Sequence, residues 1–266
     1  MQQADDFKEE SSCLERLLFS LGDGEYDLAT QFKNWTISDI LRHLHLFNKA
    51  AKNTLVDQPK FSRLMNDLQN ARATGMTLLE IQLEMLDGLS GKALLNSWGS
   101  SYRELAKIYG LTDPKKRVKW AGPDMSARSS ITARQMETWA HGQAGFDLFG
   151  KKRQETDRIR NIAHLGVSTY GWTFTNRGLS MPEPAPYVCL VSPKGEKWVW
   201  NNPQEDNSVF GLAVEFSQVV TQVRNIADTS IVTKGENATK WMAIAQCFAG
   251  EAQDPPKPGS RKIVIR

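Results

Sequence analysis

Four histidines, at positions 43, 45, 141 and 164, are the only imidazoles in a chain of 266 residues, so each can be weighed as a ligand or base. In the segment RQMETWAH, Glu137 and His141 stand four residues apart. On a helix that spacing places a carboxylate and an imidazole one above the other on a single face. Two donors on one rigid element suit a divalent ion, and a third from a neighbouring helix would complete a set with open coordination positions. His43 is the best third donor. His45 lies about 200° round the same helix and cannot point at the same ion. Glu-x-x-x-His is also common on helix surfaces that bind nothing, so spacing alone leaves both readings open. Any ion held by two imidazoles and a carboxylate would be Zn2+ or another first-row divalent metal. Cys13, Cys189 and Cys247 are too scattered for a disulfide framework or a zinc ribbon.

These donors need helices to carry them. Apolar residues recur at helical spacing from Asp5 to Leu21, ahead of Gly22. Thr36 is a good N-cap, with Asp39 in the capping-box position, and it predicts a helix through His43 to about Leu55. A Leu/Met-rich stretch from Thr77 to Leu95 is interrupted near Gly88 and Gly91, and Ser101 to Tyr109 predicts another short helix. Thr112 to Ser126, with Pro114 and Pro123, reads as a long connection. The helix carrying Glu137 and His141 should start at Ser129 or Ser130 and stop at Gly150, and a further helix should run from Thr156 to Gly178.

Composition changes at MPEPAPY, residues 181 to 187. Beyond it, Tyr187–Val191 and Glu196–Trp200 read as a hairpin turned by Ser192-Pro193-Lys194-Gly195. Two helical stripes follow, from Val209 to Val223 and from Trp241 to Phe248, with a third strand over Ser230–Thr233 and a proline-rich tail that ends as a loose arm or an edge strand. The fold class expected is α+β, with an N-terminal helical bundle over residues 1–180 and a smaller C-terminal α/β domain over 181–266.

Bulk composition excludes more than it selects. With 33 basic and 30 acidic residues, the net charge is +3 and no stripe of one sign offers a nucleic-acid surface. The apolar runs fall short of the ~20 residues that cross a bilayer, and MQQADDFKEE is not a basic signal-peptide start. A cytoplasmic protein that binds a small molecule, and neither nucleic acid nor membrane, is the expectation, as a monomer or a homodimer.

WTISDILRHL followed by ARQMETWAHGQ resembles the DinB-like superfamily of metal-binding four-helix bundles, and within it the mycothiol-dependent maleylpyruvate isomerases. The likeness extends through TDRIRNIAHLGVSTYGWTF, the PKGEKWVW hairpin, VVTQVRN and AQCFAG. Together these resemble a branch of metal-binding proteins of about this length, sometimes labelled for wyosine-base formation. The resemblance implies His43, Glu137 and His141 as metal ligands, an Arg near the end of a C-terminal helix at the site, matched by Arg224, and a low-molecular-weight thiol as cosubstrate. His164 is a second candidate for lining the pocket, set against the plainer expectation of a buried histidine bonded to backbone. The chain departs from the family at Gly142-Gln143-Ala144-Gly145, where an Asp is usual.

A His2Glu set with an open position is the arrangement of a catalytic zinc site. Three functions stay open: thiol-assisted transferase or isomerase chemistry on a small electrophilic metabolite, a metal-dependent hydrolase or lyase that activates water, and a non-catalytic metal-containing ligand-binding protein.

Overall fold

A computed structural model of the chain describes residues 1–120, 122 and 124–264. Its contacts divide into two compact units, Met1–Gly145 and Phe146–Arg266.

The first unit is helical. Helix α1 spans Gln2–Phe19, α2 Ile37–Val56, α3 Gln58–Ala73, α4 Leu78–Met85 and α5 Gly91–Gly110. The short strands β1 (Arg117–Val118) and β2 (Met125–Ser126) pair antiparallel, and α6 spans Ala127–Leu148. Thr36 and Asp39 form the expected capping box: Asp39 N–H donates to Thr36 Oγ1 at 3.1 Å and Thr36 N–H to Asp39 Oδ2 at 2.9 Å. That box satisfies orphan donors at the start of α2 and sets the helical phase two turns before His43. Helix α5 packs on both α1 and α2.

This unit holds one helix that was not expected, and one expectation fails on packing. The segment after Leu55 holds a full helix, α3, whose N-cap is Asp57, with Pro59 in its first turn. Its sequence is mostly polar, and its apolar stripe of Phe61, Leu64, Met65 and Leu68 is narrow. The breaks at Gly88 and Gly91 are real, but α5 then runs unbroken through Gly99. A Cβ on Gly99 would lie 2.5 Å from Glu15 Oε1, so that glycine accommodates the Glu15 side chain of α1 and does not break α5. Pro123, expected in the connection before α6, lies outside the described residues.

The second unit follows the last turn of α6 with α7 (Arg160–Ser168), α8 (Tyr170–Thr175), β3 (Tyr187–Val191), β4 (Lys197–Trp200), β5 (Ser208–Leu212), α9 (Ala213–Val220), β6 (Val232–Lys234) and α10 (Glu236–Ile244). The sheet order is β4-β3-β5-β6, with β3 and β5 parallel and the other pairs antiparallel. The fold is α+β; the hairpin falls where it was expected, and the strand expected over Ser230–Thr233 is β6, shifted to Val232–Lys234.

Three corrections belong here. The break between units falls at Gly145/Phe146 and not at the proline-rich segment 181–187, because α7 packs on α9. Gly166 makes that contact close, since a Cβ there would lie 2.7 Å from Val220 Cγ2. Residues 208–212, read as the start of a helix, form β5: Gly211 takes φ +153 and lies against Ile231, and Val209 pairs with Val188 and Thr233. The helix expected over 156–178 is broken at Thr169, and Thr156 makes no side-chain cap. The tail forms no strand among its described residues, and Ile265 and Arg266 lie outside them.

Among the described residues no helix is long and apolar enough to cross a membrane.

Candidate metal centre

One element supplies one donor and a second supplies two. His43 stands on α2, while Glu137 and His141 stand one turn apart on α6. Glu137 Oε2 lies 3.3 Å from His43 Nε2 and 3.1 Å from His141 Nε2. The three candidate ligand atoms all lie within 4.8 Å of one another. Each side chain is mostly but not wholly covered, with exposures of 13% for either imidazole and 21% for the carboxylate. Such a set is dry enough for strong electrostatics and still reachable by a small molecule.

Aromatic packing orients the imidazoles. Trp35 stacks parallel on His141 with centroids 5.7 Å apart, and Phe32 meets the same ring edge-on at 4.9 Å. His43 sits between Trp35 and Phe47, at 5.5 and 4.8 Å. His141 Nδ1 is buried without a hydrogen-bond partner, so on that side its ring is held by packing, while Nε2 faces Glu137. His43 has a polar anchor: Gln82 Nε2 lies 2.9 Å from its Nδ1.

A buried arginine joins the two ligand helices. Arg134, one turn before Glu137, donates from Nε to Asn48 Oδ1 at 3.0 Å and from Nη2 to the Leu44 carbonyl at 3.4 Å. Its guanidinium lies 6.0 Å from the Phe47 ring centroid. Leu44, Phe47 and Asn48 surround His43 on α2, so Arg134 fixes the distance between the one-donor and two-donor helices. Tyr109 adds a second tie, from its hydroxyl to Ser130 Oγ at 2.8 Å and the Ala51 carbonyl at 3.1 Å.

Burial pulls the His43 pKa down to about 4, against the raising effect of Glu137. Burial pushes Glu137 up, but hydrogen bonds from His141 and His43 outweigh it and hold the carboxyl well below its usual range. At neutral pH the set is one carboxylate beside a neutral His43 imidazole, the state a divalent ion requires. Without an ion the Nε2 protons bridge to Glu137, and the same three atoms would converge on a cation in their place. The donor chemistry therefore fits a divalent metal.

A stability prediction follows from these shifts. His43 titrates near 6.5 when unfolded and near 4 when folded, so the unfolded chain takes up the proton first as pH falls. The metal-free protein should lose stability between about pH 6.5 and 4, by roughly 3 kcal/mol for His43 alone. Depression of Glu137 acts in the same direction at the lower end. Urea melts at stepped pH check this, and a midpoint that holds steady from pH 6.5 to 4.5 would contradict it.

The remaining candidates lie elsewhere. His45 is buried within the first unit and not at a surface: Ser101 Oγ donates to the Trp98 carbonyl, leaving His45 Nδ1–H to donate to Ser101 Oγ at 3.0 Å. His164, on α7 in the second unit, is exposed rather than buried, and its Nδ1 accepts from Trp200 Nε1 at 3.2 Å. Asp157 lies in a short 3-10 turn before α7 and its Oδ2 lies 3.6 Å from Lys194 Nζ. Arg224 is buried against Asp147, Nη2 to Oδ1 2.7 Å.

A model of the mycothiol maleylpyruvate isomerase N-terminal domain matches residues 7–144, which include all three donors. The chain belongs to that DinB-like family. Two uncharacterized proteins of Mycobacterium tuberculosis, one from each of two strains, are 34% identical over 254 residues, covering 96% of this chain and 96% of their own. The crystal structure of a mycothiol-dependent maleylpyruvate isomerase superposes with TM-score 0.52 at 15% identity, over 96% of this chain and 95% of that one. A histidine-to-alanine mutant of such an isomerase gives TM-score 0.51 at 16% identity, over 89% and 94%. At these identities the two structures establish a shared fold, and the family assignment rests on the sequence model.

Gln82 escaped the sequence reading. One glutamine in LLEIQLEM has the look of a surface residue, and only tertiary packing shows that it is buried beside His43.

Proposed function

We propose that this protein is a metal-dependent enzyme in which His43, Glu137 and His141 hold zinc or another first-row divalent ion and leave positions open for a small molecule. The convergence of three ligand atoms within 4.8 Å, on mostly covered side chains, carries this reading. Its chemistry would be thiol-dependent transfer or isomerisation of a small electrophilic metabolite. Support for the thiol comes from the family and from the solved neighbours, which are mycothiol-dependent maleylpyruvate isomerases. A bound ion would supply Lewis acidity, lowering the pKa of a coordinated thiol so that it is a thiolate at neutral pH.

The chain's own residues do the rest. Glu137 contributes the single negative charge of the set, and the stacked Trp35 and edge-on Phe32 hold the His141 ring in place and cover it from solvent. Phe47 and Trp120, with centroids 6.3 Å apart, extend an apolar wall from His43 along α2, and Phe61 stacks on Trp120 at 6.4 Å. Such a wall favours an apolar or flat substrate moiety and excludes water from a reacting thiolate. Arg224 is proposed as a substrate-facing residue on the resemblance alone, and His164 on its place in the sequence alone.

Cobalt-substituted protein, titrated in turn with glutathione, mycothiol and coenzyme A, tests the thiol. A sulfur-to-cobalt charge-transfer band should appear with at least one of them and saturate at one equivalent. If no thiol alters the cobalt spectrum, water-activating hydrolase or lyase chemistry at the same ion becomes the better reading.

A further inference from the structure

Gln82 is fully buried, and half of its amide is unused. Its Nε2 meets His43 Nδ1 at 2.9 Å, while its Oε1 is buried with no hydrogen-bond partner. A buried amide carbonyl without a donor is a standing cost that packing seldom tolerates without a reason.

Its position is not loose. Helix α4 is held at its start by a capping box, with Thr77 N–H donating to Glu80 Oε2 at 2.8 Å and Glu80 N–H to Thr77 Oγ1 at 3.3 Å. The adjacent Ile81 packs in one buried cluster with Leu46 of α2, Leu68 of α3 and Leu86. Backbone and neighbour are both anchored, so the side-chain amide torsion is the freedom Gln82 retains.

With Gln82 Nε2–H donating to His43 Nδ1, the ring proton sits on Nε2 and points at Glu137 Oε2. In that tautomer Nε2 has no lone pair for an ion. Half a turn of the Gln82 amide exchanges the two atoms and puts Oε1 where Nε2 was. Nδ1 can then carry the proton and donate to Oε1, and Nε2 presents its lone pair.

We propose that Gln82 is the positioning residue for His43, and that its amide turns over on metal uptake so that Oε1 accepts Nδ1–H of the coordinating tautomer. This rests on the metal reading above. The imidazole stays neutral throughout: one proton leaves Nε2 to solvent and one is taken up at Nδ1. The turn exchanges one hydrogen bond for another: the Nε2–H bond to Nδ1 is given up, Oε1 gains Nδ1–H as its donor, and Nε2 moves to the place Oε1 held. Metal-bound histidines owe much of their orientation to an acceptor of this kind on the outer nitrogen.

Three proteins test it: wild type, Gln82→Met and Gln82→Glu, each titrated with zinc against a chromophoric chelator. Met fills the space without accepting, and should weaken zinc binding about 10- to 100-fold. Glu can only accept, and should stay within about threefold of wild type or bind more tightly. Long-range 1H–15N correlation spectra of zinc-loaded wild type should show His43 protonated at Nδ1 and metal-bound at Nε2, an arm that does not depend on how either variant folds. Gln82→Met binding as tightly as wild type, Gln82→Glu losing as much as Gln82→Met, or an unprotonated Nδ1 in the zinc form would each overturn the role of Gln82 while leaving the metal site intact. A wild-type protein that takes up no zinc would instead remove the metal reading, and this inference with it.

Discussion

His141→Ala should bind zinc about a hundred- to a thousand-fold more weakly than wild type, and His43→Ala should do the same. The size comes from dividing the roughly 10–16 kcal/mol of a four-donor zinc site among its donors, about 3–4 kcal/mol each. Either change also leaves Glu137 with a single imidazole in place of two, against contacts now of 3.3 and 3.1 Å. His45→Ala and His164→Ala are the controls. His45 bonds to Ser101 and His164 to Trp200, and neither belongs to the converging set, so both variants should retain a full equivalent of metal by elemental analysis. Full metal content in His43→Ala or His141→Ala would remove the site assignment.

Arg134→Ala should be among the most damaging single changes to the helical unit. The guanidinium is buried with Asn48 and the Leu44 carbonyl as partners, so truncation leaves a cavity and two acceptors short of a donor. Losing one member of a buried charged network costs about 3–5 kcal/mol. For a unit of this size that corresponds to roughly 10 °C in the melting transition. Because Arg134 ties α6 to α2 beside His43, zinc affinity should fall together with stability, and a melt within 2 °C of wild type would show that the helices are held by other means. Lysine should rescue only in part, since one ammonium cannot reproduce the planar fork that meets Asn48 and Leu44 together.

How much of this was legible in the sequence differs from element to element. Glu137 and His141 could be placed on one helix face by their four-residue spacing, and His43 two turns into α2 because Thr36 and Asp39 fix its start by a local bond, while their reading as ligands came from the family resemblance. Both placements are short-range facts. Strand β5 was misread because Val209, Leu212, Ala213 and Phe216 satisfy a helical stripe, and only pairing with β3 and β6 decides otherwise. The break between units was placed too late for a similar reason. Prolines at 182, 184 and 186 mark an irregular segment, yet the packing of Gly166 against Val220 that joins α7 to the second unit leaves no local trace. Gln82 and the α3 helix were missed where polar residues are buried or framed by partners distant in sequence.

The mixed sheet has a consequence for how the chain reaches its native state. Strands β3 and β4 are joined by a tight turn and can pair within ~1–10 μs, as hairpins do. Strand β5 must then travel back past that hairpin to the opposite edge of β3, where Val188 and Leu190 meet Val209 and Gly211 in parallel register. Until it arrives, β3 offers an open edge lined by apolar side chains, and a strand from another copy can occupy it as readily as β5 can. Concentrated refolding mixtures are therefore exposed to strand exchange and aggregation through this half of the molecule. Among its described residues the helical half, whose capped helices form from near neighbours, carries no comparable edge beyond its two-residue strands.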